Sequence, residues 1–162
     1  MEFQFPYLLK AIPRPAISLQ RRLFRPRPLI PVTVINAQSG LSRTYHGLLD
    51  TGADDTVFHT DDAALLGIDL SHAPTGTAQS VTGQAVTVRY AEVLLQLAND
   101  DGEVLEWRAT VPFAPKRGTH PLLGFAGFLQ FFDTTFLGEA EEVALIPNGL
   151  IPSQTPINAN RG

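Results

Sequence analysis

Residues 48–58 read Leu-Leu-Asp-Thr-Gly-Ala-Asp-Asp-Thr-Val-Phe, and this stretch decides the fold. The segment 45–49 predicts a strand that ends in two buried leucines. Asp50 then occupies the tight turn after that strand, where Gly52 lets the backbone fold back closely. The hydroxyl of Thr51 is able to lock this turn by a hydrogen bond. The Asp-Thr-Gly triplet occurs once in the 162 residues, a length that predicts one domain.

Short segments rich in β-branched and aromatic residues recur along the chain. They predict strands at 30–35, 45–49, 85–97, 105–113 and 131–136. The thirteen prolines and thirteen glycines discourage long helices. Two short helices are expected, one with Thr60 as its N-cap that ends near Gly67, and one at 125–130. Many short strands with few helices predict an all-β fold, a small closed β-barrel.

The composition argues against several classes of protein and site. Cysteine is absent, so neither disulfides nor thiolate zinc sites are available. No apolar run is long enough to span a bilayer, and the N-terminus lacks the order of a secretory signal, so we expect a cytosolic protein without a membrane partner. The acidic residues at 54–62 lack the spacing of a calcium loop, and the histidines are scattered. We therefore expect no metal.

The charge is divided unevenly along the chain. Residues 1–30 contain half of the twelve basic residues, namely Lys10, Arg14, Arg21, Arg22, Arg25 and Arg27, against the single acid Glu2. We expect a basic, proline-rich arm at 1–25 that packs on the acidic remainder, in preference to binding nucleic acid. A removable leader is the alternative. The arm is followed by a domain at 26–147 and a C-terminal tail at 148–162.

The sequence resembles the retropepsins, the single-domain aspartic proteases of retroviruses and of related cellular and bacterial proteins. Residues 48–57 (LLDTGADDTV) match the retroviral form of the catalytic motif letter for letter. Residues 78–90 resemble the flap hairpin that covers the substrate. Residues 121–130 resemble the family's apolar-apolar-Gly segment with the short helix after it. A closing strand pair at 131–136 and 143–147 completes the order.

The resemblance implies an aspartic endopeptidase in which Asp50 is the catalytic residue. This chemistry uses two neighbouring carboxylates that share one proton, because like charges so close cannot both ionise. One chain carries only one Asp-Thr-Gly, so the second carboxylate has to come from a second chain. The resemblance therefore implies a homodimer with twofold symmetry that cleaves a peptide or protein substrate and requires no cofactor.

The resemblance also assigns roles to the residues around Asp50. Thr51 corresponds to a threonine that bonds across the dimer beneath the aspartates, and Gly52 to a glycine whose carbonyl accepts a substrate amide. The other residues implied to bind substrate are Ala53, Asp54 and Asp55 in the loop and Val81, Thr82 and Gly83 at the flap tip. Leu123 and Gly124 are implied to be structural residues beside the site.

Two features depart from the retroviral pattern. Phe125 follows Gly124, where retroviral relatives carry an arginine that holds the aspartate corresponding to Asp54. Arg27 is therefore the candidate partner of Asp54 across the dimer. The expected flap tip contains only one glycine, Gly83. These departures leave two alternatives open, a dimeric module that binds peptides without cutting them, and a latent protease that needs removal of the N-terminal arm.

Overall fold

Strands dominate the computed structural model, which describes residues 1–79, 82–115 and 118–152. In chain order the elements are β1 (Phe3–Pro6), β2 (Leu8–Ala16), a 3-10 turn (Ile17–Leu19), β3 (Arg22–Arg27), β4 (Leu29–Ile35), β5 (Ser42–Leu49), β6 (Phe58–His59), α1 (Thr60–Leu65), β7 (Thr75–Gln79), β8 (Ala85–Ala98), β9 (Val104–Ala114), β10 (Leu122–Leu123), a 3-10 turn (Leu129–Phe131), β11 (Phe132–Leu137) and β12 (Glu142–Pro147). The prediction of a mostly β protein is confirmed. Four of the five predicted strands lie wholly inside observed ones, and the fifth is displaced by one residue.

A seven-stranded sheet forms the body of the protein. Its strands follow the order β10-β5-β4-β8-β9-β6, and β7 pairs with β8. An isolated antiparallel bridge between Val57 and Leu122 connects the two ends of this order. Since the order of paired strands itself has two ends, closure of the sheet into a barrel stays a prediction.

The segment that resembles a flap is a β-hairpin. Strand β7 pairs with the first part of β8, with Thr75 opposite Arg89 and Gln79 opposite Ala85. The hairpin therefore begins slightly before the predicted range of 78–90. Thr82 and Gly83 lie at its tip and are exposed, whereas Val81 lies outside the described residues.

The N-terminal residues form two different structures. Strand β1 pairs antiparallel with β12 in a three-stranded sheet that also contains β11, and its Phe3 and Phe5 are buried in the core. Strands β2 and β3 pair only with each other and form a hairpin, on which Arg22 makes an ion pair with Glu141. The domain boundary at residue 26 stays a prediction, although β1 crosses it by pairing with the last strand.

An aromatic cluster connects β9, β11 and the segment that follows β10. The ring of Trp107 meets those of Phe128 and Phe132 edge-on, with centroids 5.5 and 5.3 Å away. The indole Nε1 of Trp107 donates to the carbonyl of Gly127 at 3.0 Å. Since all three rings are buried, the cluster fixes the segment that follows β10.

The first expected helix forms, but it ends before Gly67 and has a different N-cap. Helix α1 ends at Leu65, and its N-cap is His59 rather than Thr60, because the His59 ring accepts from the amide of Asp61 while Asp62 accepts from the His59 amide. None of the helices in the described ranges is long and apolar enough to cross a membrane.

The prediction of a helix at 125–130 is wrong. Only the 3-10 turn of Leu129–Phe131 forms there. The amides of Phe125 and Ala126 donate to carbonyls of the loop at residues 51–55, which follows Asp50 and which we call the active-site loop after its predicted role. Gly127 has a positive φ of 88°. The first two amides of a helix could make such bonds, but the positive φ of Gly127 and the φ of −135° at Phe128 lie outside helical geometry.

Candidate active site

Asp50 is positioned by a short parallel strand pair. Leu48 and Leu49 at the end of β5 lie opposite Leu122 and Leu123 of β10. The Asp50 amide then donates to the Leu123 carbonyl at 3.1 Å. This close approach needs Gly47 on β5, because a Cβ there would lie 2.7 Å from the Leu123 side chain. The apolar segment before Asp50 and the apolar segment before Gly124 thus jointly place the carboxylate.

The Asp-Thr-Gly triplet forms a tight turn. The carboxylate oxygen Oδ1 of Asp50 accepts from the Gly52 amide at 2.9 Å, and the Asp50 carbonyl accepts from the Ala53 amide at 3.2 Å. Asp50 is half-buried, and Thr51 and Gly52 are exposed. The turn therefore orients the carboxylate while leaving it open to solvent on the surface of the single chain.

The active-site loop is hydrogen-bonded to the segment after β10. The amide of Phe125 donates to the Ala53 carbonyl at 2.9 Å, and the amide of Ala126 donates to the Asp54 carbonyl at 2.8 Å. Gly124 is required between them, because a Cβ at this position would lie 2.3 Å from the Asp55 carbonyl oxygen. The sequence predicts that Gly124 is a structural residue beside the site. The lack of space for a side chain explains why this position needs glycine.

The structure distributes the other predicted residues around this loop. Asp54 is exposed and Asp55 is half-buried. Phe125 is 62% exposed, a high value for a phenylalanine beside a candidate catalytic turn. Arg27 is half-buried, and no ion pair between it and Asp54 exists within the described part of one chain. A pair across a dimer stays a prediction.

The β2–β3 hairpin contributes residues that the sequence did not assign to the site. An open cavity of about 580 Å³ is lined on one side by Leu48, Leu49 and Asp50. Its other side is formed by the hairpin and the residues after it, namely Ser18, Leu19, Arg25, Pro26, Arg27 and Pro28. The clustering of basic residues at 1–30 was the signal in the sequence, but it carried no information on what the hairpin would face.

A second cavity, of about 290 Å³, is lined by Val57, Phe58 and His59, which follow the active-site loop. Arg27 and Leu48 line both cavities. Burial is the main cause that lowers the pKa of His120 in its wall, and the charges of Lys10 and Arg27 lower it further. Burial also raises the pKa of Tyr45 to about 12, and the carboxylate of Asp62 adds to this effect. The basic residues Lys10 and Arg27 thus act on His120, whereas the acidic residue Asp62 acts on Tyr45.

No metal centre was predicted, and this expectation stays a prediction. In the ranges that the structure describes, no three histidine, aspartate or glutamate side chains come together in an arrangement that could hold an ion.

Comparison with known proteins agrees with this geometry. A profile of the family described as aspartyl protease matches residues 30–125, more than half of the chain. No curated protein shows significant similarity to the sequence. The fold is similar to the crystal structure of a retropepsin-like aspartic protease from Rickettsia conorii, with a TM-score of 0.54 at 14% identity, over 90% of each chain.

A second solved structure that matches is the EIAV protease complexed with the inhibitor HBY-793. Its TM-score is 0.38 at 22% identity, and the match covers 60% of this chain and 81% of that chain. The family assignment rests on the matching profile, which spans the strand before Asp50, the active-site loop and the segment that ends at Phe125. The chain therefore belongs to the aspartyl protease family, and its fold is that of a retropepsin-like aspartic protease.

Proposed function

We propose that this protein is an aspartic endopeptidase whose catalytic residue is Asp50. The observation that carries the proposal is the position of Asp50, half-buried in a turn that the Leu123 carbonyl and the Gly52 amide hold in place. A carboxylate held in this way is oriented without being removed from solvent. It is therefore suited to act on a water molecule and a substrate carbonyl.

The proposed active unit is a homodimer with one Asp50 from each subunit. The ionised Asp50 takes a proton from water as the water attacks the peptide carbonyl. The protonated Asp50 donates to the carbonyl oxygen, which gives a tetrahedral gem-diol, and a proton is then passed to the leaving nitrogen. No cofactor and no covalent intermediate take part. Because the pair titrates as a unit, activity is expected to fall on both sides of a mildly acidic to neutral window.

The dimer is proposed to rest on two contacts near the turn. Thr51 is exposed in the single chain, which suits a hydroxyl that bonds across a twofold axis. Arg27 is proposed to pair with Asp54 of the partner subunit, since Phe125 leaves Asp54 without the arginine found in retroviral relatives. A dimer of Arg27→Ala that dissociates at the same concentration as the wild type would contradict the second contact.

The substrate is proposed to bind as an extended peptide with apolar side chains around the scissile bond. Backbone hydrogen bonds to such a peptide resemble the addition of a strand. The proposed contacts are Gly52, Ala53, Asp54 and Asp55 from the loop and Thr82 and Gly83 from the tip of the β7–β8 hairpin, together with Val81, which is assigned from the sequence alone. Thr82 and Gly83 are exposed, as a flap that closes on a substrate requires.

The main alternative is a dimer that binds peptides without cutting them. The exposed Phe125 and the flap tip with one glycine favour it, whereas the intact Asp-Thr-Gly turn is unnecessary for binding alone. A latent precursor that loses residues 1–25 is disfavoured. Its maturation would remove Phe3 and Phe5 from the core and β1 from the edge of β12.

The proposal is tested by cleavage of a diverse peptide mixture across acidic to neutral pH, read by mass spectrometry. The wild type is expected to cut, and Asp50→Asn is expected to lose activity by a factor on the order of 10³, as for a removed general acid or base. Asp69→Asn is the control, because Asp69 is an exposed-loop aspartate outside both cavities that accepts only from Ser71. Equal cleavage by wild type and Asp50→Asn would exclude Asp50 as the catalytic residue. A folded wild-type dimer that cuts nothing would favour the binding module.

A further inference from the structure

One face of the β2–β3 hairpin carries a group of like charges. Lys10 lies directly opposite Arg25, and Leu8 lies opposite Arg27. Opposed residues of an antiparallel pair project to the same side, and so do residues two apart on one strand. Lys10, Arg25 and Arg27 therefore share a side, which we call the cationic face.

The cationic face adjoins the candidate catalytic residue. Arg25, Arg27 and Asp50 line the same cavity of about 580 Å³. Lys10 and Arg27 are also close enough to His120, in the wall of the second cavity, to lower its pKa after burial has done so. Two independent observations thus place the cationic face beside the end of β5, where a substrate would meet Asp50.

Among the described residues, these charges have no partner in an ion pair. The ion pairs between side chains of the described residues are Arg22–Glu141, His59–Asp61 and Arg108–Glu92, and none includes a member of the cationic face. Like charges directly opposite each other destabilise a strand pair. Arg22, on the same hairpin, has a partner, whereas Arg14 and Arg21 have no ion pair among the described residues; the cationic face is therefore distinguished by three basic residues on one side of the hairpin. An arrangement of this kind is suited to an anionic ligand.

We propose that the cationic face binds aspartate or glutamate side chains of the substrate that lie a few residues away from the apolar residues at the scissile bond, so that the enzyme selects peptides with acidic residues at those outer positions. This inference rests on the proposed function, because it assigns the substrate class of the same site. Arg25 and Lys10 would supply charge-assisted hydrogen bonds to the carboxylates. In an extended peptide, alternate side chains point to the same side, so acidic residues two apart would both reach the cationic face.

An acidic peptide fits this surface better than a nucleic acid does. Nucleic-acid binding draws most of its affinity from many phosphate contacts along a continuous basic surface. Here the cationic face is short, and the exposed Asp54 and half-buried Asp55 lie in the loop that follows Asp50. These carboxylates would repel a phosphate backbone, whereas a peptide needs to place negative charge only at the cationic face.

The first test measures cleavage. For a peptide that the wild type cuts, glutamates within four residues of the cut are exchanged for glutamine, and kcat/KM is compared. We expect the glutamate peptide to be preferred by roughly three- to tenfold at low salt. The preference should disappear in Lys10→Gln/Arg25→Gln and persist in Lys10→Arg/Arg25→Lys. Arg21→Gln is the matched control for Arg25→Gln alone, since each removes one positive charge from the same hairpin and Arg21 lies outside the cavity linings. Equal kcat/KM for the two peptides in the wild type would overturn the proposal.

The second test measures binding and does not depend on catalysis. Fluorescein-labelled glutamate and glutamine peptides are titrated into Asp50→Asn, and anisotropy is recorded. The glutamate peptide should bind more tightly by roughly three- to tenfold, and added salt should reduce the difference. Equal affinities would overturn the cationic face as an acidic-peptide site even if the enzyme cuts other peptides. Tighter binding of a single-stranded DNA oligonucleotide than of the glutamate peptide would also overturn it. If the wild type cuts neither peptide but Asp50→Asn still binds the glutamate peptide more tightly, the proposed catalysis fails while the proposed ligand class stands.

Discussion

Among single residues, Gly124 constrains the active-site loop most directly. Any side chain at this position would collide with backbone carbonyls, because a Cβ would lie 2.3 Å from the Asp55 carbonyl oxygen and 2.7 Å from that of Ala53. Backbone atoms of a hydrogen-bonded loop cannot move aside as a flexible side chain can. The position of Asp50 therefore depends on a residue more than seventy positions later in the sequence.

Gly124→Ala is expected to destabilise the protein by about 1–3 kcal/mol and to reduce peptide cleavage, because the loop has to shift away from the new methyl group. Thermal unfolding and the cleavage assay measure the two effects. Gly138→Ala is the matched control, since a Cβ there has no neighbour within 4 Å. Equal melting temperatures for the two variants would contradict the tight contact at Gly124.

His120 links the cationic face to the pH dependence of stability. Burial, followed by the charges of Lys10 and Arg27, lowers its pKa from the ordinary value of 6.5. Between 6.5 and the lowered value the unfolded chain binds more protons than the folded chain. Stability is therefore lost as the pH falls through this window, and the loss is complete below the folded pKa.

His120→Gln is expected to show a smaller fall in melting temperature than the wild type between about pH 7 and pH 5, because the variant lacks this titration. His72→Gln, at an exposed position, is the control and should follow the wild type. In an NMR titration, Lys10→Gln should move the pKa of His120 upwards, towards its ordinary value. An unchanged pKa would mean that Lys10 does not lie near this ring.

At the scale of elements, β1 and the β2–β3 hairpin divide the basic N-terminal segment between two roles. Strand β1 is an edge strand whose Phe3 is fully buried, and Phe5 is nearly so. The hairpin instead exposes apolar side chains, such as Phe24 at 49% exposure, and lines the cavity at Asp50. Strand β1 therefore contributes to the core, whereas the turn after β2 and strand β3 line the cavity at Asp50.

Phe3→Ala is expected to destabilise the protein by about 3–5 kcal/mol, the range for truncating a buried aromatic side chain. Phe24→Ala is its control and should change stability by well under half of that amount, since Phe24 is half exposed. Chemical denaturation measures both. A Phe3→Ala protein as stable as Phe24→Ala would show that β1 is dispensable, and it would restore the removable leader as an explanation.

At the scale of the whole molecule, one chain holds half of the proposed catalytic machinery. The single Asp50 lies at the surface of the described chain, half-buried and beside the exposed Thr51 and Gly52. A catalytic pair requires another Asp50 within a few ångströms, and a twofold axis supplies it with the same residues from each side. Activity should therefore depend on protein concentration wherever the dimer dissociates.

Mixing experiments distinguish a shared site from two independent ones. When wild type is mixed with an equal amount of Asp50→Asn and the subunits exchange, activity should fall to about half of that of the wild type alone, because only about a quarter of the dimers then contain two wild-type chains. Activity that stays at the level of the wild type alone would indicate that each chain works by itself. Subunit exchange is verified by mass spectrometry.

The sequence by itself determined the β class of the fold, most strand positions, the Asp50 turn and the importance of Gly124. These features depend on local patterns, since strand residues, turn residues and a ten-residue motif are read from neighbours in the chain. The predicted helix at 125–130 failed because Gly127 and Phe128 adopt non-helical backbone conformations where the segment turns beside a loop far away in sequence. The N-cap of α1 moved to His59 because a histidine ring replaced the more common hydroxyl.

Only the tertiary structure decided which residues surround the Asp50 turn. Phe3 lies opposite Leu145, and Arg25 shares a cavity with Asp50, although neither pair is close in sequence. Such contacts arise when distant strands pair and bury their apolar faces, and the composition of a basic, proline-rich segment does not specify which surface it will meet. The sequence thus determined the residue proposed to do the chemistry, and the packing of the hairpin decided the charge of the surface that a substrate would encounter beside it.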